Sequence, residues 1–278
     1  MQDQIIHVGH SPDPDDAFMF YGLASGKVKI PGVTIAHVMA DIQTLNERAL
    51  RAELEVTAIS AHALAHVGDK YWIMRTGASM GEGYGPIIVS KKLSHRRELA
   101  GKVIGTPGKW TTANLLLNIF VTDARNIDMP FDRIIEAVLA GEVDAGLLIH
   151  EGQINYHQFG LKKLIDFGEV WREACGGLPL PLGLDVVRKD LGEDMAHRLS
   201  QGLRDSIAYG YAHQDESIPY ALEFGRGIDE KLGERFVKMY VNEVTIDMGE
   251  RGQKALERLY SMAYAKKLIP AQPKVLLY

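Results

Sequence analysis

The chain has 278 residues, of which 46% are hydrophobic and 24% charged, and a formal net charge of −5, the profile of an ordinary soluble globular protein with one large domain or two modest ones. Acids and bases are interspersed, so neither a basic stripe for nucleic acid nor a polybasic helix for an anionic membrane is expected. No run of 18 apolar residues would span a bilayer, the N-terminal stretch MQDQIIHVGHSPDPDD lacks a secretory pattern, and the single cysteine excludes an internal disulfide and any multi-cysteine metal site. A cytoplasmic protein is the expectation.

Taken in chain order, IIHVGHS reads as a first strand that breaks at Ser11-Pro12. DAFMFYGLASGKV follows as a helix carrying Phe18, Tyr21, Leu23 and Val28, with Asp15 or Asp16 as N-cap and Gly26 near its end. VTIAHVMA is a second strand. Asp41 caps a helix in which Ile42, Leu45, Ala49 and Leu50 share a face. EVTAIS is a strand running into the helix AHALAHVGD, and YWIMRTGAS and GPIIVSKK are further strands.

The pattern restarts with a strand at Lys102–Thr106, a Pro107-Gly108 turn, a cap at Thr111 or Thr112 and the apolar helix body Leu115–Phe120. DRIIEAVLAGEVDAGLLIH repeats helix, glycine stop at Gly141, and strand; LKKLIDFGEVW reads as one more strand. GLPLPLGLDVVRKD is proline-rich, then apolar, and can cross back between lobes. From Glu193 the signals are mostly helical, up to a short terminal KVLLY. This alternation predicts an α/β architecture with largely parallel sheet. Two α/β units joined by extended connections near 86–94 and 179–188 predict two lobes around a cleft, with residues 1–90 plus 186–278 forming the first and 91–185 the second.

Ligands of open α/β sheets collect outside the carboxyl ends of the strands. Four such exits carry chemistry: His10-Ser11, Ile59-Ser60, Thr106–Ala113 and His150-Glu151. The helix start at Thr111 and Thr112 offers backbone N–H groups and hydroxyls to a carboxylate or phosphate, although a plain threonine cap explains the same residues. Gly105, Gly108 and Lys109 do not complete a phosphate-binding loop. The aspartates of SPDPDD suit a hard metal or acid catalysis; a rigid turn with a capping aspartate is the simpler reading. His62 and His66 lack the glutamate of a zinc-protease helix and are expected on a partly exposed face. Cys175 has no local activating feature and reads as an incidental thiol. His150 stands where a cleft base belongs, and a structural histidine is the alternative.

Five segments together, HSPDPDDAFMFYGLASGKV, VTAISAHALAHV, TPGKWTTANLLL, AGLLIHEGQINY and GLPLPLGLDVVRK, resemble the menaquinone-biosynthesis enzymes of the futalosine pathway, and among them the branch that makes 1,4-dihydroxy-6-naphthoate. The resemblance spans nearly the whole chain. It implies a two-lobed fold like that of the type II periplasmic solute-binding proteins, with an interlobe cleft. It also implies conversion of cyclic dehypoxanthine futalosine, a carboxylate, into 1,4-dihydroxy-6-naphthoate with release of a three-carbon fragment and without metal or redox cofactor. By the same resemblance the base falls on His150, and substrate contacts fall on Ala58, Ile59, Ser60, Thr112 and Ala113. The family's first turn often reads Ser-Pro-Cys-Pro-Asn-Asp-Thr; here it is Ser11-Pro12-Asp13-Pro14-Asp15-Asp16-Ala17. Extra negative charge beside a carboxylate substrate is unfavourable, so this turn is expected to face away. The alternatives are the sister chorismate dehydratase, against which the IHEG histidine speaks, and a small-acid-binding protein without turnover.

Overall fold

The computed structural model describes residues 3–150, 152–224, 234 and 237–278. Along the chain the first unit comprises β1 (Gln4–His10), α1 (Pro14–Ala24), β2 (Val33–Met39), α2 (Ile42–Leu50), β3 (Val56–Ser60), α3 (Ala61–Val67), β4 (Tyr71–Ile73) and β5 (Ser79–Gly81). The second comprises β6 (Ile87–Ser90), β7 (Val103–Thr106), α4 (Thr112–Phe120), β8 (Arg125–Asp128), α5 (Ile134–Ala140), β9 (Ala145–Leu148), α6 (Gly152–Asn155), β10 (Lys162–Asp166) and α7 (Phe167–Ala174). β11 (Leu180–Arg188) then leads into α8 (Glu193–Ala212), α9 (Gln214–Leu222) and the helices Glu243–Ile246 and Gly249–Ala265.

Two sheets result. In the first, β2, β1 and β3 are parallel, and β11 runs antiparallel between β3 on one side and β4 and β5 on the other. The second has the order β10-β6-β9-β7-β8, parallel for β9-β7-β8 and antiparallel where β6 joins β9 and β10. The sheets are therefore mixed, not largely parallel, because the chain returns through β11 and β6 without a helical crossover. The lobe boundaries also move. β6 lies wholly in the second sheet and β11 wholly in the first, so the chain crosses at about residues 82–86 and 175–179. Apolar runs such as IIVS are buried on both faces and suit the centre of either sheet, so pattern alone did not assign them.

Local chemistry sets most boundaries. The Asp41 carboxylate accepts from Thr44 N–H at 3.1 Å and starts α2; Thr111 Oγ1 accepts from Asn114 N–H at 3.2 Å and starts α4. Gly141 ends α5 at φ +78°. Residues 161–171 are half strand and half helix, because Asp166 accepts from Gly168 N–H at 2.9 Å and turns the strand into α7. β8 is exposed throughout, so no alternation announces it.

The C-terminal helices return to the first lobe, as expected. Ser206 of α8 donates to Met19 O in α1 at 2.7 Å, and Gly22 lets the two helices approach: a Cβ there would lie 2.9 Å from the Ser206 Cα. The last residue pairs with the first sheet, Tyr278 N–H to Ile73 O at 2.9 Å. One apolar core runs from Ile59, Leu64 and Tyr71 in the first lobe to Ile104, Leu116 and Leu147 in the second, so the lobes are packed together along one side and open on the other.

Candidate active site

All four strand exits meet. His150, Ala58, Ile59, Ser60, Thr112 and Ala113 line one cavity of about 110 Å³ between the lobes, together with Ser11 from the first exit. β3 ends directly in α3 and β9 ends two residues before His150, so short parallel strands deliver these side chains to one place. His150 itself is held in the left-handed region at φ +55°, an uncommon conformation for a residue with a side chain. Phe131 packs edge-on against its ring, with centroids 4.8 Å apart. The Gln153 amide, oriented to accept from Tyr240 Oη at 2.6 Å, also accepts from the His150 backbone N–H at 3.1 Å. Glu151 lies outside the described residues.

The SPDPDD turn does not face away. Asp13 is the N-cap residue of α1, ahead of Pro14, but its side chain makes no capping bond. Its carboxylate lies 3.1 Å from His150 Nδ1, with only 2% of the Asp13 side chain exposed. Asp15 and Asp16 line the cavity. Asp16 accepts from Ser11 N–H at 2.6 Å and from Ser11 Oγ at 2.8 Å. The turn faces inward, and the site answers the crowding by raising the hold of Asp15 and Asp16 on a proton. Burial, then the Asp13 charge, pushes Asp16 up to about 6; burial, then Asp16 and Asp13, holds Asp15 well above the usual carboxylate range.

Asp185 on β11 is the acid that sequence reasoning missed. It also lines the cavity, and burial followed by the Asp16 charge raises it well above the usual range. A lone aspartate within the apolar run LGLDVVR was a readable signal. Gln153 and Tyr240 carried none, since both reach the site from elements with ordinary sequences.

The helix starts need restating. Thr112 Oγ1 donates to Leu182 O at 2.7 Å and accepts from His62 N–H at 3.3 Å, so its hydroxyl ties α4 to the first lobe instead of pointing freely at a ligand. What α4 offers an anion is its first N–H groups, at Thr112 and Ala113. Ser60 is fixed by Asn46, which donates to Ser60 Oγ at 3.0 Å and accepts from Ser60 N–H at 2.8 Å. His62 is buried rather than on an exposed face; it packs with His66 and Trp110, and burial, then His66, pushes it down to about 4. Cys175 lies outside the cavity lining, and burial raises its thiol, the opposite of an activated nucleophile. Among the described residues no group of three or more His, Cys, Asp or Glu is arranged to hold a metal.

A buried carboxylate on Nδ1 fixes the imidazole so that Nε2 is the nitrogen left for a substrate, the arrangement of an oriented general base. Comparison with known proteins places the chain in a family. A family model described as menaquinone biosynthesis matches residues 6–265. The 1,4-dihydroxy-6-naphthoate synthase of Thermus thermophilus is 37% identical over 98% of this chain and 99% of its own, and that of Streptomyces coelicolor is 36% identical over 98% and 97%. The crystal structure of a protein from Archaeoglobus fulgidus superposes with a TM-score of 0.91 at 51% identity, covering 95% of this chain and 98% of that one. The alkanesulfonate-binding protein of Xanthomonas axonopodis, with a TM-score of 0.73 at 13% identity over 99% and 97% of the two chains, shares the fold alone, which is that of the periplasmic binding proteins. On the match of nearly its whole length, the chain belongs to the menaquinone biosynthesis family.

Proposed function

We propose that this protein is a 1,4-dihydroxy-6-naphthoate synthase, a carbon–carbon lyase that converts cyclic dehypoxanthine futalosine into 1,4-dihydroxy-6-naphthoate. The two full-length relatives of that name support the reaction. The structural observation that carries it is the buried Asp13–His150 pair at 3.1 Å on the wall of the interlobe cavity.

In this reading the substrate carboxylate lies at the N–H groups of Thr112 and Ala113, at the positive end of the α4 dipole. Ala58 and Ile59 supply apolar wall for the ring. His150 Nε2 takes the proton whose removal lets the carbon–carbon bond open, and Asp13 stabilises the imidazolium that forms. Aromatisation drives the step, so positioning and proton transfer suffice. The test is mass spectrometry of purified protein incubated separately with cyclic dehypoxanthine futalosine and with chorismate. Dihydroxynaphthoate from the first and no dehydration of the second is the expected result. Tight binding of the first without product would leave a small-acid-binding protein instead.

A further inference from the structure

We propose that Asp185 is a substrate-contacting, specificity-determining residue, whose carboxyl reads a hydroxyl group on the neutral end of the substrate, remote from its carboxylate. The proposal rests on the functional reading above and adds a contact to it.

Asp185 sits in the middle of an apolar strand and is 2% exposed. Its Oδ1 is buried without a hydrogen-bond partner among the described residues, yet the side chain lines the cavity. Leaving a buried polar atom unsatisfied is costly, and a fold that needed only packing would place an aliphatic residue here. The surroundings are built around the carboxyl. Gly77 faces it at φ +86°, and a Cβ at that position would stand 2.0 Å from Asp185 Oδ2. Gly77 is fixed in turn by its N–H bond to Thr245 O at 2.8 Å, and Asp185 by its own carbonyl, which accepts from Met74 N–H at 2.9 Å. A glycine in a left-handed conformation makes room here for an acid with an unsatisfied oxygen, on a strand that lines the cleft.

The register places this acid relative to the rest of the site. Asp185 pairs with Ala58, and Gly183, two residues away on the same strand, pairs with Ser60. Directly opposed residues share a face, so Asp185 and Ser60 project from the same side of the sheet, roughly 7 Å apart along the strands. The cavity is thus lined both by the carboxyls of Asp185, Asp15 and Asp16 and by the start of α4 at Thr112 and Ala113. A substrate carboxylate is held by the second. Burial, then the neighbouring Asp16, raises the Asp185 carboxyl well above its usual range. A carboxyl with a raised hold on its proton can both donate and accept, which complements a hydroxyl group. The two ends together fix which way round the substrate lies past His150.

The experiment compares turnover kinetics and thermal unfolding of wild type, Asp185→Asn and Asp185→Leu, with Asp185→Ala replacing the leucine variant if the larger side chain is not accommodated. Asparagine keeps a donor and an acceptor, so kcat/KM should stay within about threefold. Leucine removes both, so KM should rise about 10–100-fold, with the smaller change in kcat, while the protein unfolds at a higher temperature. An unchanged KM in Asp185→Leu would overturn the contact, as would an asparagine variant as impaired as the leucine one. Wild type that forms no dihydroxynaphthoate would overturn the functional reading and this contact with it; a working wild type beside an unaffected leucine variant would overturn the contact alone.

Discussion

At the residue scale, the chemistry concentrates on two side chains from opposite lobes. Asp13 precedes α1 of the first lobe and His150 follows β9 of the second, so the proposed catalytic pair exists only when the lobes face each other. His150→Ala should lower kcat by about 10²–10⁴-fold with the fold intact. Asp13→Asn should approach that loss, because an amide presents a donor to Nδ1 and selects the wrong tautomer. Groups acting as a unit are not additive, so the double variant should be little worse than His150→Ala alone; steady-state kinetics on the three proteins checks this. Gly77→Ala is a separate prediction. With a Cβ forced against Asp185 at positive φ, it should cost about 1–3 kcal/mol in denaturant unfolding, and less when Asp185 is also replaced by alanine.

At the scale of elements, α4 is the joint between the lobes. Thr112 Oγ1 links it to Leu182 O on β11 and to His62 N–H on α3, and His62 Nδ1 lies 3.3 Å from Thr111 O. Thr112→Val should therefore cost about 1–3 kcal/mol of stability by leaving Leu182 O without its donor, with KM changed less than severalfold, since the helix N–H groups remain. Parallel unfolding and kinetic measurements separate the two effects. The same joint should respond to acid. His62 is held near 4 by burial, below its ordinary value near 6.5. Between those values the unfolded chain binds a proton that the folded one refuses, so stability present above about pH 6.5 is lost as pH falls toward 4. The linkage is worth at most about 3 kcal/mol. Replacing His62 with Gln should flatten that part of the curve of unfolding free energy against pH; an identical slope would show that other groups dominate it.

At the scale of the molecule, a binding-protein fold carries a buried Asp–His pair in its cleft. The two sheets and the shared core on one side leave the strand exits facing each other on the other side, and the proposed reaction asks of that cleft only orientation and proton transfer. Activity should therefore persist after chelator treatment and dialysis, without nicotinamide, flavin or divalent metal. Loss of product with chelator and its return with a divalent metal would place the SPDPDD aspartates at a metal instead. No helix among the described residues is long and apolar enough to cross a membrane.

Much of this was written in the chain's local pattern. Period and capping marked β1, α2, β3, α4 and β9, since Asp41, Thr111 and Gly141 act on backbone groups within four residues of themselves. The same pattern set the four strand exits, while the family resemblance singled out Ala58, Ile59, Ser60, Thr112, Ala113 and His150, and the fold brings these together. Tertiary structure alone decided the rest. The sheet to which β6 and β11 belong depends on partners far along the chain. The direction of the SPDPDD turn depended on whether charge repulsion outweighs what the aspartates gain, and that balance turned on His150, 137 residues later than Asp13, and on burial that raises the Asp16 carboxyl. Likewise the Thr112 hydroxyl reads as a free ligand group until the lobes meet and Leu182 and His62 take it. Interactions with near neighbours leave a mark in sequence; charge balance and burial depend on what the completed fold excludes from water.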